Sequence, residues 1–361
     1  MKIFIAASGT GGHLFPALLV AKTLRKLEPA CEVVFVGSGR ALEAEVIDKG
    51  GFRRHVINTV GVKRLGVLGL LRFLWTLPRA FLQTYRLFSV EKPELVFGAG
   101  GYVSVLPVLM ACLRGVPSWI HEAEIKPGLA NYALSFFATK ISVAFRETVM
   151  PCAQKVIVTG QPVREELVGI GNEAVGARVN GPPEHLLVLG GSQGAKALDD
   201  AMREVAPWLA SQNIEVWHQG RPENVEALQA EYGRVRVKAR VVSFIEAMPE
   251  ALKWADLIVS RSGASTVMEL GVVNKPAILV PYPFAQGQHQ KANALTLVNA
   301  KKAILVEEGA GFVERLQEAL RTLFVPANYQ TMKAAHYAGR NADGAVNIAR
   351  GLLALISSPK K

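Results

Sequence analysis

The chain has few cysteines, few aromatic residues and little charge. Of its 361 residues, three are cysteine, 7% are aromatic and 20% are charged. Cys31, Cys112 and Cys152 follow no disulfide or zinc-ligand spacing, so the sequence predicts a reduced, cytoplasmic setting and no metal site. Half of the residues are hydrophobic, which excludes a mainly disordered or fibrous protein.

The sequence also lacks a secretory signal and an uninterrupted transmembrane segment. The apolar residues after Met1 and Lys2 are too few for a signal peptide and predict a first strand. The uncharged stretch at 95–113 is long enough to span a bilayer, but it contains three glycines and, at its middle, Pro107. We therefore predict a strand, a glycine turn and a buried helix there.

Short β-branched segments alternate with helical stretches in two successive series. The predicted strands are 2–7, 32–37, 94–97, 118–121 and 155–159, and then 185–189, 214–219, 235–241, 257–259 and 277–280. This alternation predicts an α/β protein with two doubly wound parallel sheets facing across a cleft. We place the domains at 1–162 and 163–340 and expect a final helix in 341–361 to pack back on the first domain.

Glycine-rich turns follow the first predicted strand of each series. They read Gly9-Thr10-Gly11-Gly12-His13 and Gly190-Gly191-Ser192-Gln193-Gly194, and a third turn follows the strand at 94–97. A glycine turn at a helix N-terminus presents backbone N–H groups and a partial positive charge, which suit a phosphate. With a net charge of +11, the chain favours an anionic partner.

A sugar nucleotide fits these turns better than other phosphate ligands. The first turn lacks the third glycine of the dinucleotide fingerprint, and no acidic residue ends the second strand. The phosphate-binding motif of P-loop ATPases is absent. Because no Asp-x-Asp motif is present either, we expect helix dipoles and arginine, not a metal or another cofactor, to stabilise a departing diphosphate.

Seven motifs in order make the sequence similar to one enzyme family. They are Gly9-Thr10-Gly11-Gly12-His13, Gly100-Gly101-Tyr102-Val103-Ser104, His121-Glu122, Thr159-Gly160-Gln161-Pro162-Val163-Arg164, Gly190-Gly191-Ser192-Gln193-Gly194-Ala195, Arg261-Ser262-Gly263-Ala264 with Thr266 and Glu269, and Gln290 with Asn293. Together they resemble the MurG family, N-acetylglucosaminyltransferases that convert lipid I to lipid II in peptidoglycan synthesis.

The resemblance implies a GT-B fold of two Rossmann-like domains and an inverting transfer. The N-terminal domain would take lipid I, a polyprenyl diphosphate-linked acceptor, and the C-terminal domain would hold UDP-N-acetylglucosamine. The 4-hydroxyl of the acceptor's N-acetylmuramoyl residue would attack C1 of the donor sugar and displace UDP. Wall-synthesis proteins would be further partners.

The resemblance also assigns residues to the donor and to the acceptor. Arg164 would contact the diphosphate, Ser192 the α-phosphate, Glu269 the ribose hydroxyls and the backbone of Ile245 the uracil. The other donor residues are Thr10, Gly11, Gly12, Gln193, Ala264, Thr266, Gln290 and Asn293. Tyr102 would lie on the acceptor side.

Two residues are candidates for the base that accepts the hydroxyl proton. His13 is mostly neutral at cytoplasmic pH and lies on a ligand-facing loop, although it could instead order the loop or polarise phosphate. Glu124 stands where the family commonly has asparagine, and it either takes over the base role or faces solvent. Two further departures from the family are Gln161 in place of asparagine and Gln288 in place of aspartate.

A basic, apolar segment at 62–88 contains no acidic residue. Arg72, Arg79 and Arg86 recur every seven residues and would share one side of a helix, while Trp75 and Phe81 belong to its apolar part. Such a segment suits reversible attachment to an anionic membrane, here the cytoplasmic face of the bacterial inner membrane. A buried helix with a solvated arginine edge is the alternative. Pro78 predicts two shorter helices in this segment.

Two other functions stay open at this point. One is a GT-B transferase with a different lipid acceptor, such as diacylglycerol. The other is a non-catalytic protein that uses its positive charge to bind nucleic acid or membrane, although the sequence contains no nucleic-acid motif.

Overall fold

A computed structural model describes residues 1–7, 11–58, 67–174, 181–191, 194–339 and 342–357, with the backbone alone at 67–75, 172–174 and 286. The chain divides into two units, an N-terminal unit of Met1–Val163 with Asn341–Lys361 and a C-terminal unit of Arg164–Arg340.

The N-terminal unit is built on a parallel sheet. Its strands are β1 (Lys2–Ala6), β2 (Glu32–Gly37), β3 (Arg53–Val56), β4 (Leu95–Gly98), β5 (Ser118–Glu122), β6 (Lys140–Val143) and β7 (Val156–Val158). Its helices are α1 (Gly11–Leu27), α2 (Ala41–Lys49), α3 (Val67–Glu91), α4 (Val105–Leu113) and α5 (Leu129–Leu134). Among the described residues, the sheet order is β3-β2-β1-β4-β5-β6-β7.

Successive residues of a strand point to opposite faces of the sheet, so this sheet carries two cores. Ile3 and Ile5 of β1 pack with α1 on one face, whereas Phe4 of β1 packs with α3, α4 and α5 on the other. Both faces are covered by helices, as a parallel sheet requires.

The C-terminal unit repeats this plan. Its strands are β8 (His185–Leu189), β9 (Glu215–Gln219), β10 (Lys238–Val242), β11 (Leu257–Ser260), β12 (Ala277–Leu279) and β13 (Ala303–Leu305). Its helices are α6 (Glu165–Ala174), α7 (Lys196–Ser211), α8 (Val225–Arg234), α9 (Met248–Trp254), α10 (Ala264–Val273), α11 (His289–Asn299), α12 (Phe312–Phe324) and α13 (Pro326–Ala334). In the described part of the chain the sheet order is β10-β9-β8-β11-β12-β13.

The strand orders confirm the predicted fold class of two doubly wound, Rossmann-like sheets. In each unit the order reverses beside the first strand, between β1 and β4 and between β8 and β11. Ligands of open α/β sheets bind at the carboxyl ends of the strands next to such a reversal.

The last helix, α14 (Gly344–Ser357), belongs to the N-terminal unit. Its residues Ile348, Ala349 and Leu352 complete the core around α1. A Cβ on Gly351 would lie 2.4 Å from the Trp119 ring, so glycine allows the helix to approach the sheet.

Some elements differ from the sequence prediction. The prediction of two helices around Pro78 is wrong, because one helix spans Val67–Glu91 with Pro78 inside it. Proline removes one backbone hydrogen bond, and the part of α3 after it is held on the sheet by Ala80 and Phe88. β3, β6 and β13 were not predicted, although strands of the same length, such as β7 and β12, were.

The uncharged stretch at 95–113 folds as predicted. It forms β4, a glycine turn, a short 3₁₀ helix at Tyr102–Ser104 and α4. Within the described residues, no helix combines the length and hydrophobicity that a membrane crossing requires.

Candidate active site

His13 lies in the first turn of α1 and packs on the glycine turn after β4. A Cβ built on Gly100 would lie 2.7 Å from His13 Nδ1, so the imidazole ring rests directly on the backbone of the turn. Gly100 has a φ of 107°, a conformation that L side chains rarely adopt. Ser104 Oγ makes hydrogen bonds of 3.0 Å to the carbonyls of Ala6 and Gly100, which tie this turn to β1.

His121, at the end of β5, is buried and held as a neutral ring. Its Nε2 donates to Gln161 Oε1 at 2.8 Å, and its Nδ1 accepts from Ser142 Oγ at 2.9 Å. Burial lowers the pKa of His121 to about 4, against the opposing effect of the Gln161 hydrogen bond. The Gln161 that departs from the family motif therefore orders β5 in this chain.

The neighbouring Glu122 organises the loop that carries Glu124. Its carboxylate accepts from the backbone N–H groups of Glu124 and Gly128, at 2.9 and 3.1 Å, and from Asn131 Nδ2 at 3.0 Å. Burial raises the pKa of Glu122 to about 7, although these hydrogen bonds oppose the rise. Glu124 is half-buried, and Tyr102, the predicted acceptor residue, is half-buried on the 3₁₀ helix after β4.

The turn after β8 is compact in a way that requires glycine. A Cβ on Gly190 would lie 2.8 Å from the backbone nitrogen of Ala195 and 2.9 Å from Gly194 Cα. Gly191 and Gly194 have φ values of 80° and 68°. A Cβ on Gly191 would meet no described atom within 4 Å. The turn therefore brings the backbone close to the N-terminus of α7.

Arg164 and Glu269 form an ion pair in the C-terminal unit. Arg164 Nη1 donates to Glu269 Oε1 at 3.1 Å, and both side chains are partly exposed. Burial raises the pKa of the Glu269 carboxyl, and the Arg164 guanidinium opposes that rise. Glu269 lies on α10, which also carries Ala264 and Thr266. The structure thus joins two residues that the sequence had assigned separately, one to diphosphate and one to ribose.

Ile245, Gln290 and Asn293 have different surroundings. Ile245 is buried beside a pocket of about 280 Å³ that is also lined by Trp217, Arg240 and Phe244. Gln290 Oε1 accepts from the backbone N–H of Tyr282 at 2.9 Å. Asn293 is fully buried on α11 and donates to the Ser262 carbonyl at 3.3 Å, so its contact with a donor sugar stays a prediction.

The chain is similar to known proteins along most of its length. Models of the glycosyltransferase family 28 N-terminal and C-terminal domains match residues 3–143 and 185–348. A curated protein of Shewanella denitrificans is 39% identical over 89% of this chain and 85% of its own length. A protein of Myxococcus xanthus is 36% identical over 90% of this chain and 84% of its own length. Both are UDP-N-acetylglucosamine–N-acetylmuramyl-(pentapeptide) pyrophosphoryl-undecaprenol N-acetylglucosamine transferases.

A crystal structure of MurG from Acinetobacter baumannii superposes with a TM-score of 0.78, at 28% identity, over 98% of this chain and 99% of that one. The chain belongs to the MurG family of family 28 glycosyltransferases. It has the GT-B fold of that family. UDP-GlcNAc 2-epimerase of Neisseria meningitidis, at 15% identity and a TM-score of 0.67 over 98% of this chain and all of that one, shares the fold alone.

The structure does not place all of the residues that the sequence predicted for the donor site and for the membrane surface. Thr10, Ser192 and Gln193 lie outside the described residues, whereas Gly11 and Gly12 open α1. Arg72 and Trp75 lie on α3 with only their backbone described. Arg79, Phe81 and Arg86 are exposed on the same helix, and Phe88 faces the core. In the described ranges, no three His, Cys, Asp or Glu side chains gather as metal ligands.

The sequence did not predict a buried hydrogen-bond network that lies beside the glycine turn after β8. Tyr232 Oη donates to His218 Nδ1 at 3.0 Å, and His218 Nε2 donates to Asp199 Oδ1 at 3.2 Å. All three side chains are fully buried. They come from α8, β9 and α7, so no local spacing in the sequence predicts that they meet.

Proposed function

We propose that this chain transfers N-acetylglucosamine from UDP-N-acetylglucosamine to the 4-hydroxyl of a polyprenyl diphosphate-linked N-acetylmuramoyl pentapeptide. The reaction converts lipid I to lipid II and releases UDP. The observation that carries the proposal is the 39% identity with the S. denitrificans transferase over 89% of the chain. A match of that extent includes residues of both units.

The C-terminal unit binds the nucleotide in this proposal. The N-terminus of α7, which follows the glycine turn, offers its positive end to the diphosphate. Glu269 accepts hydrogen bonds from the ribose hydroxyls, and Arg164, already 3.1 Å from it, reaches the diphosphate. The pocket beside Ile245 takes the uracil, whose edge pairs with the backbone there.

The transfer needs a base and a stabilised leaving group. The acceptor oxygen attacks C1 from the side opposite the diphosphate, and the bond from C1 to the phosphate oxygen breaks. Its electron pair leaves with UDP, while His13 or Glu124 takes the hydroxyl proton. Helix N-termini and Arg164 stabilise the charge that develops on UDP.

The lipid acceptor requires a protein surface that meets the membrane, and α3 supplies it in this proposal. Its exposed residues Arg79, Phe81 and Arg86 combine positive charge with an apolar side chain. Each basic residue near an anionic surface contributes about 1 kcal/mol, which gives reversible attachment at the cytoplasmic face of the inner membrane.

Two measurements on the purified protein test the proposal. In the first, binding is titrated with UDP-N-acetylglucosamine, UDP-glucose and NAD, and we expect the first to bind most tightly. In the second, UDP release is followed with and without lipid I, and we expect release to depend on the acceptor. Absence of UDP binding, or turnover with diacylglycerol and not with lipid I, would contradict the proposal.

A further inference from the structure

Arg221 lies against the glycine turn after β8, in the C-terminal unit. A Cβ on Gly194 would lie 2.4 Å from Arg221 Cγ and 3.0 Å from Arg221 Cα. The methylene stem of this arginine therefore forms one wall of the turn at the N-terminus of α7. Its guanidinium lies beyond that stem, on a side chain that is 37% exposed.

The backbone of Arg221 is held in place by the buried network described above. Asp199 Oδ2 accepts from the Arg221 backbone N–H at 3.0 Å and from Asn224 Nδ2 at 2.8 Å. Burial alone raises the pKa of Asp199, but its hydrogen bonds from His218, Arg221 and Asn224 outweigh this and lower that pKa. The Asp199 carboxylate therefore binds the backbone N–H of Arg221 and does not bind its guanidinium.

The ion pair that the Arg221 guanidinium forms in this structure is weak. The guanidinium pairs with Glu223 two residues along the chain, and the Glu223 side chain is 55% exposed. Exposed ion pairs of this kind contribute little, because water and salt screen them. A phosphate offers a stronger, bidentate partner to an arginine.

We infer that Arg221 is a further diphosphate-binding residue, which leaves Glu223 and contacts the phosphates of the sugar nucleotide held at the N-terminus of α7. This inference rests on the proposed function and adds a residue that none of the sequence motifs includes. Lys196, the first residue of α7, pairs with Asp200 at 2.5 Å on an exposed side of the helix.

The test compares uridine, UMP and UDP as ligands of the full chain by calorimetry or competition. Arg221→Met keeps a methylene stem on Gly194 and removes the charge, whereas Arg221→Lys keeps the charge without the bidentate geometry. Arg234→Met is the matched control. Arg234 pairs in the same way with Glu231 but lies at the far end of α8, roughly 15 Å away along the ten-residue helix.

We expect Arg221→Met to weaken UDP binding by roughly 10- to 100-fold, the range for losing hydrogen bonds to a charged group, and to leave uridine binding unchanged. Arg221→Lys should recover part of the loss, and Arg234→Met should bind UDP like the wild type. Equal losses for uridine and UDP would show a distorted pocket and overturn the inference, as would normal UDP binding by Arg221→Met. Failure of the wild-type chain itself to bind UDP would instead contradict the proposed function.

Discussion

The imidazole of His13 and the backbone of Gly100 meet at the reversal point of the N-terminal sheet. The contact needs a residue without a Cβ, since that atom would lie 2.7 Å from His13 Nδ1. A histidine held this way has a defined position before any substrate binds, which is what a general base requires.

Replacing His13 by alanine tests the base assignment. If His13 takes the hydroxyl proton, kcat should fall by roughly 10²- to 10⁴-fold, while the Kd for UDP stays unchanged. Steady-state kinetics and UDP titration measure the two effects, with Glu124→Gln as the parallel variant. Equal losses of kcat and UDP affinity would reassign His13 to donor binding, and a larger kcat loss in Glu124→Gln would move the base role there.

Glu269 gives a second prediction at this scale. Glu269→Ala removes the acceptor for the ribose hydroxyls and leaves Arg164 without its carboxylate partner, so UDP affinity should fall by roughly 10- to 100-fold. Vesicle binding should not change, because the residue lies in the C-terminal unit. Glu215→Gln, at an exposed ion pair with Lys238, is the control. UDP binding of Glu269→Ala at the wild-type level would exclude the ribose role.

At the scale of elements, α3 separates an inward and an outward side. Ala80, Thr84 and Phe88 are buried, whereas Arg79 and Arg86 are exposed. The seven-residue spacing predicted that the arginines share one side of the helix. The prediction that the helix breaks at Pro78 was wrong. One lost hydrogen bond does not end a helix whose following turns pack on a sheet.

Charge reversal on α3 should release the protein from membranes. We expect Arg72→Glu, Arg79→Glu and Arg86→Glu together to abolish binding to anionic vesicles in sedimentation, since each arginine contributes about 1 kcal/mol. Turnover of a water-soluble acceptor should persist. The control carries the same charge change at Arg203, Arg234 and Arg321, which are exposed in the C-terminal unit. Equal release by the control would mean that net charge alone drives attachment.

At the scale of the whole molecule, two similar sheets carry different chemistry. The N-terminal sheet carries His121 and Glu122 at the carboxyl end of β5, and the C-terminal sheet has a compact glycine turn after β8. Helix α14 follows the C-terminal unit in sequence but completes the core of the N-terminal unit. Stability of the first unit therefore depends on the end of the chain.

Stability of the molecule should depend on the ionisation of Glu122. The pKa of this carboxyl is raised to about 7 from 4.5, so the buried acid stabilises the fold below pH 4.5 and this contribution is lost as the pH rises to 7. His121, with its pKa lowered to about 4 from 6.5, acts oppositely, since its contribution is lost as the pH falls from 6.5 to 4.

The Glu122→Gln variant isolates the contribution of Glu122 to the pH dependence of stability. At pH 4.5 the variant should be less stable by about 1–3 kcal/mol, because the side-chain N–H group of glutamine faces the N–H donors of Gly128 and Asn131. Its deficit in thermal midpoint relative to the wild type should shrink between pH 4.5 and 7. Thermal unfolding over that range measures this, and a deficit that grows with pH would contradict the assigned pKa.

Much of the fold and part of the site could be predicted from the sequence. The alternation of strands and helices, the glycine turn after β4 and the family membership all follow from local patterns. β3 was not predicted because three of its four residues, Arg53, Arg54 and His55, are polar. The network of Asp199, His218 and Tyr232 was not predicted because its members belong to three elements.

The local chemistry of this protein, namely which turns are rich in glycine and which strands are apolar, follows from the amino-acid sequence because these properties depend on neighbouring residues. Which distant side chains meet depends on the three-dimensional packing. The contacts of His13 with Gly100, Arg164 with Glu269 and Arg221 with Gly194 depend on strand order and helix packing. Such distances are set by the assembly of each sheet, and spacing along the chain does not encode them.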